Sequence, residues 1–313
     1  FEEFAAQLDE EQDRTGMAQG EGFEKGHASV RMVLKHLADG RGFNPLFERI
    51  AEQLEAKLQK EDLSLGVEAY IGEFPTGAVN AQATMTPQGA LILVNTGLMS
   101  FIHQVFKIIL LWTKVVVHDQ GKIVKGTVDE SLSRADAAQA IAEVLYAYLF
   151  MGSPLKARRF SALGGFKGEL LYRLTTNCEQ FVIAHEYGHI ISGHLKNPTP
   201  PNAKTKVGNV EIPTAWMQEF DADKIGVRIL QADLPRQITG DPELMELEYI
   251  VAGPLLFYQL DRIITKTALA LRGIEGVVFV QDHPPAEFRF NVIRNYIESF
   301  AGKAAFASAD IYV

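Results

Sequence analysis

The sequence predicts an α+β fold, mostly helical with a small mixed sheet. Three observations predict it. Several long segments carry apolar residues at helical spacing, a few short β-type runs are bounded by turn residues, and no internal repeat or low-complexity tract interrupts them. The 313 residues, 47% hydrophobic and 22% charged, are enough for a substantial core.

Taken in order, residues 1–20 are acidic and Gln-rich, and read as a frayed terminus or a helix lacking its partner. Over 43–59, Leu46, Phe47, Ile50, Leu54 and Leu58 recur at helical spacing. Residues 67–71 read as a strand. Residues 90–94 read as a second, introduced by the turn chemistry of Pro87, Gln88 and Gly89. Asn95, Thr96 and Gly97 break it, and helical spacing resumes at Leu98. The most hydrophobic run, 99–117, is interrupted by His103, Gln104, Lys107 and Lys114, and reads as a buried helix leading into a strand, not as a membrane span. Residues 114–128 hold two β-type runs around Asp119, Gln120 and Gly121, the signature of a hairpin.

A strong helix over 133–151 is stopped by Gly152, Ser153 and Pro154, and Gly164–Gly168 reads as a loop. The next helix takes Asn177 as its N-cap, with Gln180 three residues on as capping partner. Residues 197–209, rich in Pro, Lys and Asn, read as an exposed loop, and helices follow over 215–230, 243–272 and 285–300. The domain organisation expected is an N-terminal helical segment, 1–65, then one domain over 66–313 with a long insertion at about 113–176.

The formal net charge of −9 and pI of 5.4 argue against general affinity for nucleic acid or an anionic membrane surface. The short basic stretch Lys156, Arg158 and Arg159 reads as a solvated helix end. A single cysteine, Cys178, excludes an internal disulfide framework and a cysteine-rich zinc module. The chain opens on Phe1, and no charged-then-apolar leader pattern stands there. A cytoplasmic location is the expectation, with a periplasmic or membrane-tethered one if a preceding segment was removed.

The informative stretch is Val182 to Ile190, VIAHEYGHI. On a helix, His185 and His189 project side by side one turn apart, as two imidazoles on one tetrahedral zinc require. Glu186, rotated about 100° from His185, can reach a water on that zinc without becoming a ligand. A third ligand is needed, and Glu219 and Asp223 lie four residues apart on a downstream helix. The economical assignment makes Glu219 the third ligand and Asp223 the acceptor for a ligand histidine's outer N–H. Asp221 points elsewhere, and His194 falls off the ligand face. Two ordinary core histidines would leave the downstream pair of carboxylates unexplained.

With these residues in hand, the chain resembles the gluzincin metallopeptidases of the HtpX, CAAX prenyl protease and BepA family. Four segments carry the likeness: Asn80–Ala83 with the run 89–98, the HEXXH helix, Glu219–Gly226 (EFDADKIG), and His283–Arg289 (HPPAEFR). Residues 1–65 have no counterpart, about 80 residues separate the strand segment from the zinc helix, and the membrane helices of some branches are missing.

The resemblance implies a zincin-like fold whose sheet edge lines the active-site cleft, and one Zn2+ per chain. It also implies that His283, Arg289 or both stabilise the oxyanion or hold substrate. On physical grounds His283 sits on a rigid turn before Pro284 and Pro285, and Arg289 is placed to bind a carboxylate or a backbone oxygen. The substrate, a protein or peptide segment, is expected to add as a strand against Ala90, Ile92 and Val94, near Asn80. Glu186 is the expected general base and His283 its helper. Three functions are in view: a zinc endopeptidase of extended segments, a toxin-like or phage-exclusion peptidase of the Lit type cutting one host protein, and a non-catalytic zinc-stabilised peptide-binding module. A further expectation, motivated by the Gly-rich loop before the zinc helix, is that the long segment 113–176 lids or plugs the cleft.

Overall fold

A computed structural model of the chain describes residues 45–113, 115–119, 122–128, 132–196, 200, 203–207, 210–233, 241–273 and 283–309. Residues 1–44, including the acidic stretch 1–20, lie outside them. The architecture is α+β and mostly helical. Helix α1 (Pro45–Lys60) turns Phe47, Ile50, Leu54 and Leu58 into the same core that the later helices share.

The main sheet holds β1 (Ala69–Phe74), β2 (Ala81–Thr86) and β3 (Gly89–Asn95) in the order β1-β3-β2. β1 runs parallel to β3, with Ala69 opposite Ala90, and β2 runs antiparallel, with Ala83 opposite Ile92. The sheet is therefore mixed, as expected, but the strand at its edge is not the expected one. Ala90, Ile92 and Val94 belong to the central strand and are fully buried, with both backbone edges paired. They cannot receive an added strand. The unbroken apolar run of β3 is the pattern of a strand covered on both faces.

Of the two edge strands, β1 and β2, it is β2 that lines the cleft. Asn95 N–H donates to Asn80 C=O (3.2 Å), and this fixes the alternation. Gln82 and Thr84 share that parity and bond toward β3, so the backbone groups of Ala81, Ala83 and Met85 point away from it.

Helix α2 (Thr96–Trp112) buries Leu98, Phe101, Ile102, Val105 and Phe106, and β4 (Val115–Asp119) follows directly, as the interrupted hydrophobic run predicts. β4 pairs antiparallel with β5 (Lys122–Val128) in the expected hairpin, whose tip, 120–121, lies outside the described residues. Helix α3 (Arg134–Met151) is capped by Ser133, which accepts from Asp136 N–H, and ends at Gly152 in the left-handed region (φ 72°).

Helix α4 (Gly165–Ile191) is 27 residues long. It starts at the stretch expected to be a loop and runs through Asn177, whose amide donates to Arg173 C=O within the helix instead of capping it. Leu170, Leu171 and Leu174 continue the apolar face upstream and hold those turns on the core. A hairpin of β6 (Lys204–Val207) and β7 (Val210–Pro213) occupies part of the predicted loop 197–209. Helices α5 (Thr214–Leu230), α6 (Asp241–Leu271) and α7 (Ala286–Ala309) complete the described chain. No described helix is long and apolar enough to cross a membrane.

Candidate metal centre

Helices α4 and α5 bring the centre together, and two glycines let them do so. A Cβ on Gly188 would stand 2.7 Å from Ala222 Cα, and one on Gly226 would stand 3.1 Å from His185 N. Only glycine lets the two backbones approach so closely there.

His185 Nε2 and His189 Nε2 lie 3.1 Å apart. Glu219 Oε2 is 3.5 Å from the first, and Oε1 is 3.5 Å from the second. An ion held tetrahedrally at about 2.1 Å sets its ligand atoms roughly 3.4 Å apart. Each imidazole is thus near that spacing from one or the other Glu219 oxygen, and one atom from each of the three residues can be chosen so that all lie within 4.8 Å of one another. The group fits a divalent ion; the expected ligand set is the one these distances single out.

Each donor is held from behind. His185 Nδ1 is 2.8 Å from Asp223 Oδ1, the arrangement expected of Asp223. Burial works against charge on His185, but the hydrogen bond and charge of Asp223 outweigh it and leave its pKa above the ordinary value. His189 Nδ1 lies 3.1 Å from His194 Nδ1. Burial, and then His185, push the His189 pKa down to about 3, so its ring is in the neutral form that binds metals. Glu219 sits between His283 Nδ1 (3.2 Å) and Arg289 Nη1 (3.0 Å). Burial disfavours its charge, yet His283, Arg289 and the two histidines hold its carboxyl well below the usual range.

Asp223 is fully buried and accepts from Arg289 Nε (2.9 Å) and from Arg289 Nη2 and the Tyr258 hydroxyl. The Arg289 guanidinium also lies over the Tyr258 ring, 4.7 Å from its centroid. Burial would raise the Asp223 pKa, but Arg289 and His185 draw it below the ordinary value. Arg289 is therefore engaged by two carboxylates of the centre. It orients them and also lines the cleft.

Glu186 is buried beside His185 and is not part of the ligand triangle. Burial lifts its pKa above the usual carboxylate value, and His185 and the Ala83 backbone N–H work the other way. The Ala83 contribution comes from the outward-facing parity of β2, so the sheet edge and the HEXXH helix meet at this carboxylate.

All of this opens into one cleft of about 570 Å3. Its walls include Asn80 to Ala83 on one side and Phe257, Leu260, Asp261, His283 and Pro284 on the other. Asn80 is where the sequence places it, at the cleft edge, tied through its backbone C=O to Asn95 Nδ2 (2.8 Å). His283 is at the cleft wall with its side chain 66% exposed. Ala90, Ile92, Val94 and Asp221 are not among the lining residues, nor is any described residue of 113–176. Gly164–Gly168 stands about 20 residues of helix, roughly 30 Å, from His185, too far to plug the cleft.

Two residues of the centre escape the sequence reading. His194 lies beyond the helix end, but Gly193 adopts φ 69° and folds the chain back, so that His194 N–H donates to His189 C=O (3.1 Å). The glycine before the histidine is the signal that could have found it. Tyr258 comes from a distant helix, and nothing local marks it. Cys178 is fully buried on α4, its thiol within 3.2 Å of Gly253 C=O, as a core residue.

Comparison with protein-family models, curated proteins and solved structures found no match.

Proposed function

We propose that the chain is a zinc-dependent endopeptidase with a zincin-like catalytic domain, hydrolysing peptide bonds in extended protein segments. The observation that carries this reading is the convergence of three donors, His185, His189 and Glu219, beside a buried carboxylate, Glu186, that is not one of them. Two imidazoles and one carboxylate suit zinc and leave a fourth position for chemistry. When bound, the ion would supply Lewis acidity toward the scissile carbonyl and toward a water.

The chain's own groups supply the rest. Glu186 takes the proton of the attacking water and delivers it to the departing amine nitrogen. Asp223 and His194 hold the two imidazoles in fixed tautomers, and Arg289 fixes the carboxylates of Glu219 and Asp223. His283, exposed on the cleft wall, adds a donor toward the developing oxyanion. The substrate pairs with the cleft-lining edge of β2 in place of the buried β3, using the outward backbone groups of Ala81, while the Ala83 N–H stays with Glu186.

The test is a comparison of newly formed protein termini in a lysate treated with wild-type chain and with Glu186→Gln, alongside metal analysis of both. The expected result is new termini from the wild type only, a rate loss of roughly 10²- to 10⁴-fold in the variant, and one zinc per chain in each. Termini confined to one polypeptide would move the reading to the dedicated toxin-like peptidase. Zinc retained with no termini from either protein would leave the peptide-binding module and end the hydrolase proposal.

A further inference from the structure

The cleft holds a charged group that the catalytic arrangement does not use. Asp261 follows Tyr258 by three residues on α6, so the turn that anchors Tyr258 to Asp223 also delivers Asp261 to the cleft wall. Among the described residues its carboxylate makes no hydrogen bond or ion pair, whereas Asp223 and Glu219 each make several. Burial holds its carboxyl above the ordinary aspartate range, with Arg289 and His283 only partly offsetting that. A partly buried carboxylate that lines the cleft without a hydrogen-bond or ion-pair partner gains from a cation brought to it.

The surroundings specify the kind of cation. Phe257, Leu260, Asp261 and Ile264 occupy positions i, i+3, i+4 and i+7 of α6 and all line the cleft. They form one face, apolar along its length with a single acid near its middle. A lysine or arginine side chain has the matching build, an apolar stem of three or four methylenes ending in a charge. The charges of the centre point the same way. With the imidazoles neutral, a bound dication and Arg289 are balanced by Glu186, Glu219 and Asp223, and Asp261 is the negative charge left over.

We infer that Asp261 is a specificity-determining residue, selecting extended segments that carry a lysine or arginine close to the scissile bond, with the stem against Phe257, Leu260 and Ile264. This deepens the peptidase reading and rests on it. A charge-assisted contact in a partly desolvated cleft corresponds to a preference of roughly tenfold or more over a neutral side chain of the same length.

The experiment uses a set of fluorogenic peptides identical except for Lys, Arg, norleucine or Glu, placed in turn at each position flanking the cleaved bond. The readout is the ratio of kcat/KM for Lys to that for norleucine. In the wild type the ratio should reach about ten at one position; Asp261→Asn should bring it within about twofold of unity, and Asp261→Lys should turn the preference toward Glu. Binding of the same peptides to zinc-loaded Glu186→Gln, read by fluorescence anisotropy, reports selection without turnover. If no peptide is hydrolysed by the wild type, the peptidase reading fails while the anisotropy ratio still measures Asp261. A wild-type ratio near unity in both assays at every position, or a preference that survives Asp261→Asn, overturns the inference.

Discussion

Glu179 and Glu186 stand on the same helix, seven residues and nearly two full turns apart, and they are equally withdrawn from solvent at 5% and 7% exposure. Their surroundings differ. Glu186 faces an open cleft in which imidazoles, carboxylates and a guanidinium converge, and its charge is supported by His185 and the Ala83 backbone. Glu179 is buried away from the cleft, where burial pushes its pKa up to about 7 and Arg49 of α1 offsets that only in part. Burial alone therefore marks a costly group, not a site. What marks the site is that several such groups aim at one point and satisfy one another.

The comparison breaks most visibly at Asp223. Asp223→Asn removes the charge shared by His185, Arg289 and Tyr258. Stripping one partner from a buried ion pair costs about 3–5 kcal/mol, and loss of an outer partner lowers metal affinity by ~10- to 100-fold. Urea unfolding and chelator competition should show both losses together; an unchanged pair of values would mean that Asp223 does not organise the centre.

Glu179 sharpens the other side. Its folded pKa of about 7 lies above its ordinary value of 4.5, so the folded chain holds the proton more tightly than the unfolded one. Its contribution is most favourable below the ordinary value and declines as pH rises through about 7. The full decline amounts to roughly 3 kcal/mol as an upper figure. Glu179→Gln should therefore match the wild type near pH 4 and exceed it in stability by up to that amount near pH 8. Urea unfolding of both proteins across this range checks the sign; a variant less stable at pH 8 would show that the carboxylate is held by a favourable partner.

The smallest effect is expected at His194. His194→Ala leaves all three metal donors in place and removes only the group behind His189. Zinc affinity should fall by about tenfold, at the lower end for an outer partner. Zinc titration against a competing chelator reads it, and an unchanged affinity would assign His194 to the surface.

Much of the centre was legible because it is local. His185 and His189, and Glu219 and Asp223, are pairs on single helices, where spacing alone fixes the shared face. Arg289 was legible as a residue but not in its role, since its partners lie 66 and 70 positions away on α5. Tyr258 had no local sign at all. The strand order is not legible in the same way, because which strand is central depends on pairing between distant segments; the unbroken ALILV run is the one local sign that both faces of β3 are covered. The start of α4 differs from the expected cap because asparagine favours caps in general, whereas the Asn177 amide is satisfied inside the helix by Arg173 C=O.

The two glycines at the crossing of α4 and α5 have a consequence for the choice of ion. Packed helices ordinarily keep their axes about 8–10 Å apart, a separation set by side chains. At Gly188 and Gly226 that spacer is missing, and the bite of the donor triangle is fixed by backbone resting on backbone. Such a rigid frame discriminates by radius: it matches donors at ~2.1 Å and would have to be prised open for calcium-like distances of ~2.4 Å. A single methyl group at Gly188 would act as a wedge against the Ala222 backbone, retuning the centre toward larger ions without altering any of the three donor residues.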